Sequence, residues 1–303
     1  MRGLFRSLAL TLQMGPSPVL KGALVAVSSD QLQTAAIYWD TAAETYEQKF
    51  TGTTVGQIRR RAVWKELERT FHPGQHILEL NCGTGIDAVF LGGKGINVLA
   101  CDISPRMIEI ARGLANETPT KAAPDFRVLA TENLPTLSEG PFDGAFSNFA
   151  GLNCVADLSP VAASLALRLK PGARFIACMM GRFVPFEIAW YLAHRQPRRA
   201  FQRLRERRSS FREEENLMIH RPTVSEIARQ MRPSFRLLRW KGIGITVPIS
   251  YAEPFASRYP RLIQVLATVD DNVGGLPIFR GMADCLLLEF QRFGNHGFEE
   301  NHS

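Results

Sequence analysis

The chain predicts an α/β fold built on a mostly parallel sheet, and three observations carry that reading. From residue 76 onward, short apolar runs alternate with helical patterns, as right-handed βαβ units require. The first run breaks into a glycine turn, Asn81-Cys82-Gly83-Thr84-Gly85, and a helical pattern starts at once. The second run ends on an acid, Asp102, seventeen residues after Gly85. The 303 residues are 45% hydrophobic and 21% charged, which is ordinary globular composition.

Residues 1–27 show no sustained period and read as a poorly ordered N-terminal extension. The stretch MRGLFRSLALTLQM sets basic residues beside a short apolar run. Arg6 interrupts that run and no small-residue cleavage site follows, so a secretory leader is not expected. Residues 30–48 and 55–71 are helical in pattern, with Pro73-Gly74 closing the second helix. Strands are expected at 76–81, 96–101, 125–130, 142–148 and 173–179, with helices at 85–93, 105–116 and 157–169.

After Met180 the rhythm changes. Pro185 and Pro197 bracket a short aromatic helix, an arginine-rich helix follows over 198–212, and another is expected over 222–231. Strands at 234–240 and 284–292 finish the sheet, and the long connection between them holds a helix near 254–270. The domain plan is a 1–27 extension, N-terminal helices and core over 28–180, and a helical cap over 181–232. Residues 233–303 supply C-terminal strands with a helical insertion.

No uncharged apolar stretch reaches the roughly 18–20 residues of a membrane span. The five cysteines are widely separated and form no CxxC pair, which argues against zinc and a disulfide framework. A reduced, cytoplasmic, metal-free protein is expected. The net charge of +7 is uneven: eight arginines and one acid, Glu206, lie between Arg195 and Arg212. Ala200, Phe201, Leu204 and Phe211 would form an apolar stripe on that helix, with Arg208 intruding. A solvated outer face, an anionic membrane surface or acidic substrate, and nucleic acid all remain open for it.

The turn invites a ligand, because glycines admit close approach and a helix N-terminus offers unpaired N–H groups. Gly83, Gly85 and Ala88 satisfy GxGxxA, so a nicotinamide or flavin dinucleotide is a legitimate reading. Three further features bear on the choice. Glu79 lies inside the first strand, where a carboxylate opposes a pyrophosphate but suits an ammonium group. Ala-Thr-Glu-Asn-Leu-Pro follows the third strand at 130–135, and Leu-Lys-Pro-Gly-Ala (169–173) leads into the fifth.

Taken in order, LELNCGTG, the strand ending on Asp102, ATENLP, PFDGAFSN and LKPGA resemble the class I S-adenosylmethionine-dependent methyltransferases. The resemblance covers roughly residues 75–180. It is nearest to small-molecule enzymes such as those of the biotin and ubiquinone pathways, and AAETYEQKF is similar to their N-terminal helix. It implies a Rossmann-like seven-stranded, mostly parallel sheet with a helical cap, and S-adenosyl-L-methionine as cofactor.

The resemblance also implies roles. Glu79 would sit near the methionine ammonium, with Gly83 and Gly85 beside that moiety. Asp102 would bind the ribose hydroxyls, with Ile103 and Met107 against the adenine, and Thr131 and Glu132 at its edge. Asn148 would lie near the sulfonium, and Tyr46 could reach the methionine end. Ala130 stands where the family commonly has aspartate. Asn81 replaces the first turn glycine; asparagine tolerates left-handed conformations and can bond local backbone, so Asn81→Gly is expected to be nearly silent in cofactor affinity.

The implied activity is methyl transfer to oxygen, nitrogen or carbon of a small organic acceptor, anionic or amphipathic. An RNA methyltransferase, a nucleotide-cofactor oxidoreductase and a non-catalytic cofactor-binding regulator are the alternatives. For a general base, Glu187 and His194 fall with Trp190 and Tyr191 on one side of the short aromatic helix. An ordinary amphipathic helix is the other reading of that face. Cys154 reads as buried packing rather than as a nucleophile, because the proline-cysteine context of RNA 5-methylcytosine enzymes is missing.

Overall fold

The structure is a computed structural model, and it describes residues 29–206, 208–210 and 217–294. The expected extension 1–27 lies outside the described residues, as do Arg207, Phe211 and Arg212 of the arginine-rich segment.

Helix α1 (Ser29–Tyr46) continues through a wider turn, Glu47–Thr51, into α2 (Thr54–Thr70). Thr53 caps α2, its hydroxyl accepting from the Gly56 N–H at 3.0 Å. Strand and helix then alternate: β1 (His76–Leu80), α3 (Ile86–Gly93), β2 (Asn97–Asp102), α4 (Pro105–Glu117), β3 (Asp125–Val128), β4 (Phe142–Ser147), α5 (Ser159–Arg168) and β5 (Leu169–Met180). The cap contains α6 (Pro185–Ala193), α7 (Pro197–Ala200), α8 (Gln202–Arg205), the strands β6 (Arg208–Ser210) and β7 (Met218–His220), and α9 (Val224–Met231). The chain closes with β8 (Phe235–Ile243), α10 (Glu253–Arg258), α11 (Pro260–Val273) and β9 (Cys285–Arg292).

Seven strands form one sheet in the order β3-β2-β1-β4-β5-β9-β8. The first five are parallel, and β9 runs antiparallel between β5 and β8. Both faces are covered, so central strands bury consecutive residues rather than alternate ones. Ile77, Val98, Phe146 and Ile176 point to the layer holding α2, α3 and α4. Leu78, Leu99, Ala145 and Phe175 point to the layer holding α5 and α9. The chain reverses direction across the sheet between β1 and β4, where open α/β sheets form a crevice at their strand ends.

Two expectations about the helices are corrected. No single helix spans 198–212: α7 and α8 are short, Glu206 turns extended, and Ser209 and Ser210 pair with β7. The reason is tertiary. Arg203 lies buried between Glu187 and Asp284, with N–O distances of 2.6 and 2.7 Å, and does not face solvent beside the other arginines. The helix expected near 254–270 is two helices, because Pro260 has no N–H to continue α10 and instead starts α11. Glu253 at the start of α10 accepts from the N–H groups of Thr54 and Val55 at 2.7 and 3.1 Å, tying this insertion to α2.

Candidate active site

A cavity of about 350 Å³ opens at the C-terminal ends of β1, β2 and β4. The turn after β1 forms one wall, the segments after β2, β3 and β4 form others, and α1 and β7 contribute the rest. Asn81, Gly83, Asp102, Ile103, Met107, Thr131, Glu132, Asn148 and Tyr46 all line it. The structure thus brings together nine of the eleven residues expected at the cofactor.

The turn is left-handed at three positions, with φ of 57° at Asn81, 54° at Gly83 and 77° at Gly85. Gly83 is the one that needs room for a ligand: a Cβ there would meet nothing within 4 Å, and its N–H donates to Asp102 Oδ2 at 2.8 Å. Gly85 does something else. A Cβ there would lie 2.6 Å from Ala111 and 2.7 Å from Phe126, so this glycine lets the start of α3 close on α4 and β3. It does not line the cavity, contrary to expectation.

Asn81 is more than tolerated. Its Nδ2 donates to Thr131 Oγ1 at 3.0 Å, and its Oδ1 accepts from Ser147 Oγ at 3.0 Å. One side chain therefore ties the end of β1 to β4 and to the segment after β3, a structural role that sequence reasoning did not give it.

Asp102 is buried, and its second oxygen accepts from the Ser104 N–H at 2.9 Å. Burial pushes its carboxyl above the ordinary value, against the lowering effect of the backbone N–H groups of Ser104, Gly83 and Ile103. Glu79 is almost wholly enclosed behind the turn and does not line the cavity. Burial first, and then Asp87, push its carboxyl well up, while Arg60 opposes them; its Oε2 has no hydrogen-bond partner. Burial raises the Glu132 carboxyl too, and lifts the Tyr46 phenol to about 12 despite Arg60.

Sequence reasoning missed the group around Asp87. Its carboxylate pairs with Arg60 at 2.6 Å and accepts from Trp64 Nε1 at 2.6 Å and Asn148 Nδ2 at 2.8 Å. Asn148 therefore turns its amide N–H toward Asp87. Arg60 lies over the Phe149 ring, 4.8 Å from its centroid, and lines the cavity. The available signal was a triple arginine, Arg59-Arg60-Arg61, inside a helix otherwise read as ordinary. Thr84, whose hydroxyl donates to Glu47 Oε1 at 2.6 Å, and His220 of β7 are further lining residues that sequence reasoning passed over.

The two residues expected to supply a base are not at this cavity. Glu187 is buried against Arg203; burial holds its carboxyl above the usual range and Arg203 only partly offsets this. His194 ends α6, exposed, with Nδ1 2.8 Å from the Trp190 carbonyl oxygen and its ring against that indole. Equal helical spacing did not give equal surroundings: one residue turns into the ion cluster, the other reaches solvent.

Among the described residues no cluster of His, Cys, Asp and Glu has metal-holding geometry, and no helix is long and apolar enough to cross a membrane.

Comparison with known proteins bears on this site. Residues 77–172 match the methyltransferase domain family. The chain is similar to the demethylmenaquinone methyltransferase of Symbiobacterium thermophilum, 30% identical over 163 residues, covering 49% of this chain and 61% of that protein. It is also similar to the tRNA 5-carboxymethoxyuridine methyltransferase of Escherichia coli, 30% identical over 138 residues, covering 44% of this chain and 52% of that protein. These matches thus span 52% and 61% of the curated relatives' lengths, less than two thirds of either. The fold is similar to that of the 1,6-didemethyltoxoflavin-N1-methyltransferase of Burkholderia thailandensis, with a TM-score of 0.56 at 14% identity over 89% of this chain and 92% of that one. Residues 77–172 therefore match a methyltransferase domain, and the seven-stranded sheet that carries them has the Rossmann-like fold of the class I methyltransferases.

Proposed function

We propose that this protein transfers the methyl group of S-adenosylmethionine to a small organic acceptor. The observation that carries the reading is Arg60 Nε, a buried and unpartnered donor on a cavity-lining side chain, with the unpartnered Glu79 Oε2 enclosed behind the turn. A free guanidinium N–H at the cavity suits the carboxylate of an amino acid, and a buried acid behind the turn opposes a pyrophosphate. Asp102 is the acceptor for ribose hydroxyls, while Ile103 and Met107 supply apolar surface and Glu132 a polar edge for an adenine. The donor set fits the cofactor along its length.

The bound cofactor supplies a methyl already made electrophilic by its sulfonium. The protein's task is then alignment, and holding two reactants in near-attack geometry is worth about 7–11 kcal/mol. Asn81 and Asp87 do this indirectly by fixing the strand ends that carry the lining residues. Residues 28–180 serve as the cofactor-binding core, 181–232 as the cap, and 233–303 complete the sheet. A cytoplasmic location belongs to the same proposal, supported by five free thiols.

A nucleic acid acceptor is the second reading, favoured by the name of the Escherichia coli relative and by the arginine-rich segment. The burial of Arg203 counts against a continuous cationic face there. Calorimetric titration with S-adenosylmethionine and with NAD tests the cofactor. Saturable binding of the former, weakened in Asp102→Ala, is expected; preference for NAD, or no binding of S-adenosylmethionine, overturns the proposal. Radiolabelled methyl transfer into cell extract, separated into RNA and small molecules, distinguishes the acceptors.

A further inference from the structure

A second cavity, of about 260 Å³, lies between α2, the end of β8 and α11, and it shares no lining residue with the first. Helix α2 serves both. Arg60 lines the first cavity, while Arg59 and Arg61 on either side of it line the second. Ile58, Arg61, Ala62 and Lys65 recur at helical spacing, which puts them on one face of α2. Ile243 and Gly244 at the end of β8, Val247 beyond it and Ala267 of α11 supply further lining.

Arg59 is 2% exposed, and two of its nitrogens are engaged. Nη1 pairs with Asp284, and Nη2 donates to the Pro248 carbonyl oxygen at 2.9 Å. Its Nε has no hydrogen-bond partner. A buried donor without an acceptor is costly, and an acceptor brought to it recovers that cost. Gly244 keeps the space beside this nitrogen open. Its φ is 75°, and a Cβ there would stand 3.0 Å from Arg59 Nε and 3.3 Å from Nη2. Nε thus faces a cradle that any side chain at 244 would fill.

The acids at this cavity are spent on other partners. Asp270 accepts from the N–H groups of Ile245 and Thr246 at 2.9 and 2.6 Å, and Asp271 pairs with Lys65. Lys241 pairs with Glu66 at 2.8 Å. Arg61 is exposed and forms no ion pair among the described residues. An uncompensated cation and a buried guanidinium N–H both select an anion. The remaining lining decides its kind. Ile58, Ala62, Ile243, Val247 and Ala267 are apolar, so a bare inorganic anion leaves them uncovered, whereas a short hydrocarbon body removes them from water.

We infer that this second cavity binds a small organic carboxylate with a short apolar body. The carboxylate accepts from Arg59 Nε in the space left by Gly244, and the charge of Arg61 draws it in. The body rests against the apolar lining from α2, β8 and α11. This site is separate from the cofactor cavity and does not rest on the methyl-transfer reading. Its occupant would touch the side chain that holds Asp284, and Asp284 in turn holds Arg203 of the cap.

The test titrates the full chain with hexanoate, hexan-1-ol and inorganic phosphate, read by protein NMR at low salt. Hexanoate is expected to bind at least several-fold more tightly than either of the others and to move the Gly244 amide resonance. S-adenosylmethionine should not displace it. Gly244→Ala, which closes the space beside Arg59 Nε, should abolish hexanoate binding. Arg61→Gln, at an exposed position where folding is not at risk, should weaken it several-fold. Hexan-1-ol binding as tightly would mean an apolar hole, and phosphate binding as tightly would mean a bare anion site. Either result overturns the inference, as does an unmoved Gly244 amide, displacement by S-adenosylmethionine, or Arg61→Gln binding as wild type does. Failure of S-adenosylmethionine to bind overturns the proposed function alone and leaves the hexanoate result standing.

Discussion

Gly83 donates its backbone N–H to Asp102 Oδ2 at 2.8 Å, so the turn after β1 is held by the acid that ends β2. Asp102→Ala should therefore act twice. It should weaken S-adenosylmethionine binding by roughly 1.5–3 kcal/mol through lost charge-assisted bonds, and also leave the Gly83 and Ser104 N–H groups without their acceptor. Calorimetry and thermal melting measure the two separately. Cofactor binding needs the ionised carboxylate, whose pKa is raised by burial, so affinity should fall as pH drops through a value above the usual 3.9 or so. For folding the sign is opposite: a raised carboxyl pKa means stability is lost as pH rises through that window.

The turn glycines should separate by phenotype. Gly85→Ala drives a methyl into Ala111 and Phe126, so about 1–3 kcal/mol of fold stability should be lost. Gly83→Ala meets open space, so beyond a backbone cost of about 1 kcal/mol its effect should fall on cofactor affinity. Asn81→Gly relieves a left-handed residue but removes bonds to Thr131 and Ser147, and a net loss of about 1 kcal/mol is expected by chemical denaturation.

The ion cluster under the cap should respond unequally. Burial opposes ionisation of Asp284, but Arg59 and Arg203 outweigh it and hold its carboxyl below the ordinary value. Its contribution is therefore fully present above the unfolded pKa, about 3.9, and is lost as pH falls through the lower folded value. Asp284→Asn leaves two buried guanidiniums poorly paired and should cost about 3 kcal/mol or more at pH 7. Glu187 has a raised pKa, so it costs stability as pH rises through its own window, and Glu187→Gln should be mild. Urea denaturation of both variants is the check; an equal loss would mean that Arg203 depends on both partners alike.

Cys154 should be inert in the folded protein. With its thiol near 12, iodoacetamide at pH 8 should label it at well under a hundredth of the rate found after unfolding, read by peptide mass spectrometry. Fast labelling blocked by cofactor would instead make it a candidate nucleophile.

His194→Ala should leave turnover within about twofold, since an exposed imidazole resting on Trp190 reaches no part of the cavity. A loss of about 10²-fold would restore its place as the base.

Local pattern alone determined the parallel core. Alternating apolar runs and helical periods placed β1 to β5 and α3 to α5 within a few residues, because burial on both faces demands them. It also placed Asp102 and Thr131 at or after strand ends, where the cavity opens, since a strand end and a crevice coincide in this topology.

Charge placement was decided only in three dimensions. Nothing in the local pattern marks Arg60 or Arg203 for burial, yet each is buried against a carboxylate from a distant segment, Asp87 and Asp284. No periodicity records such a partner, and breaking the 198–212 helix followed from burying Arg203. His220 and Asn153 met for the same reason: the hairpin carrying the histidine joins β5 through one buried amide, a contact set by packing. Gly85 and Asn81 show the limit within a single motif. The motif fixed their backbone angles, but whether each faced ligand, helix or strand depended on what the tertiary fold brought against it.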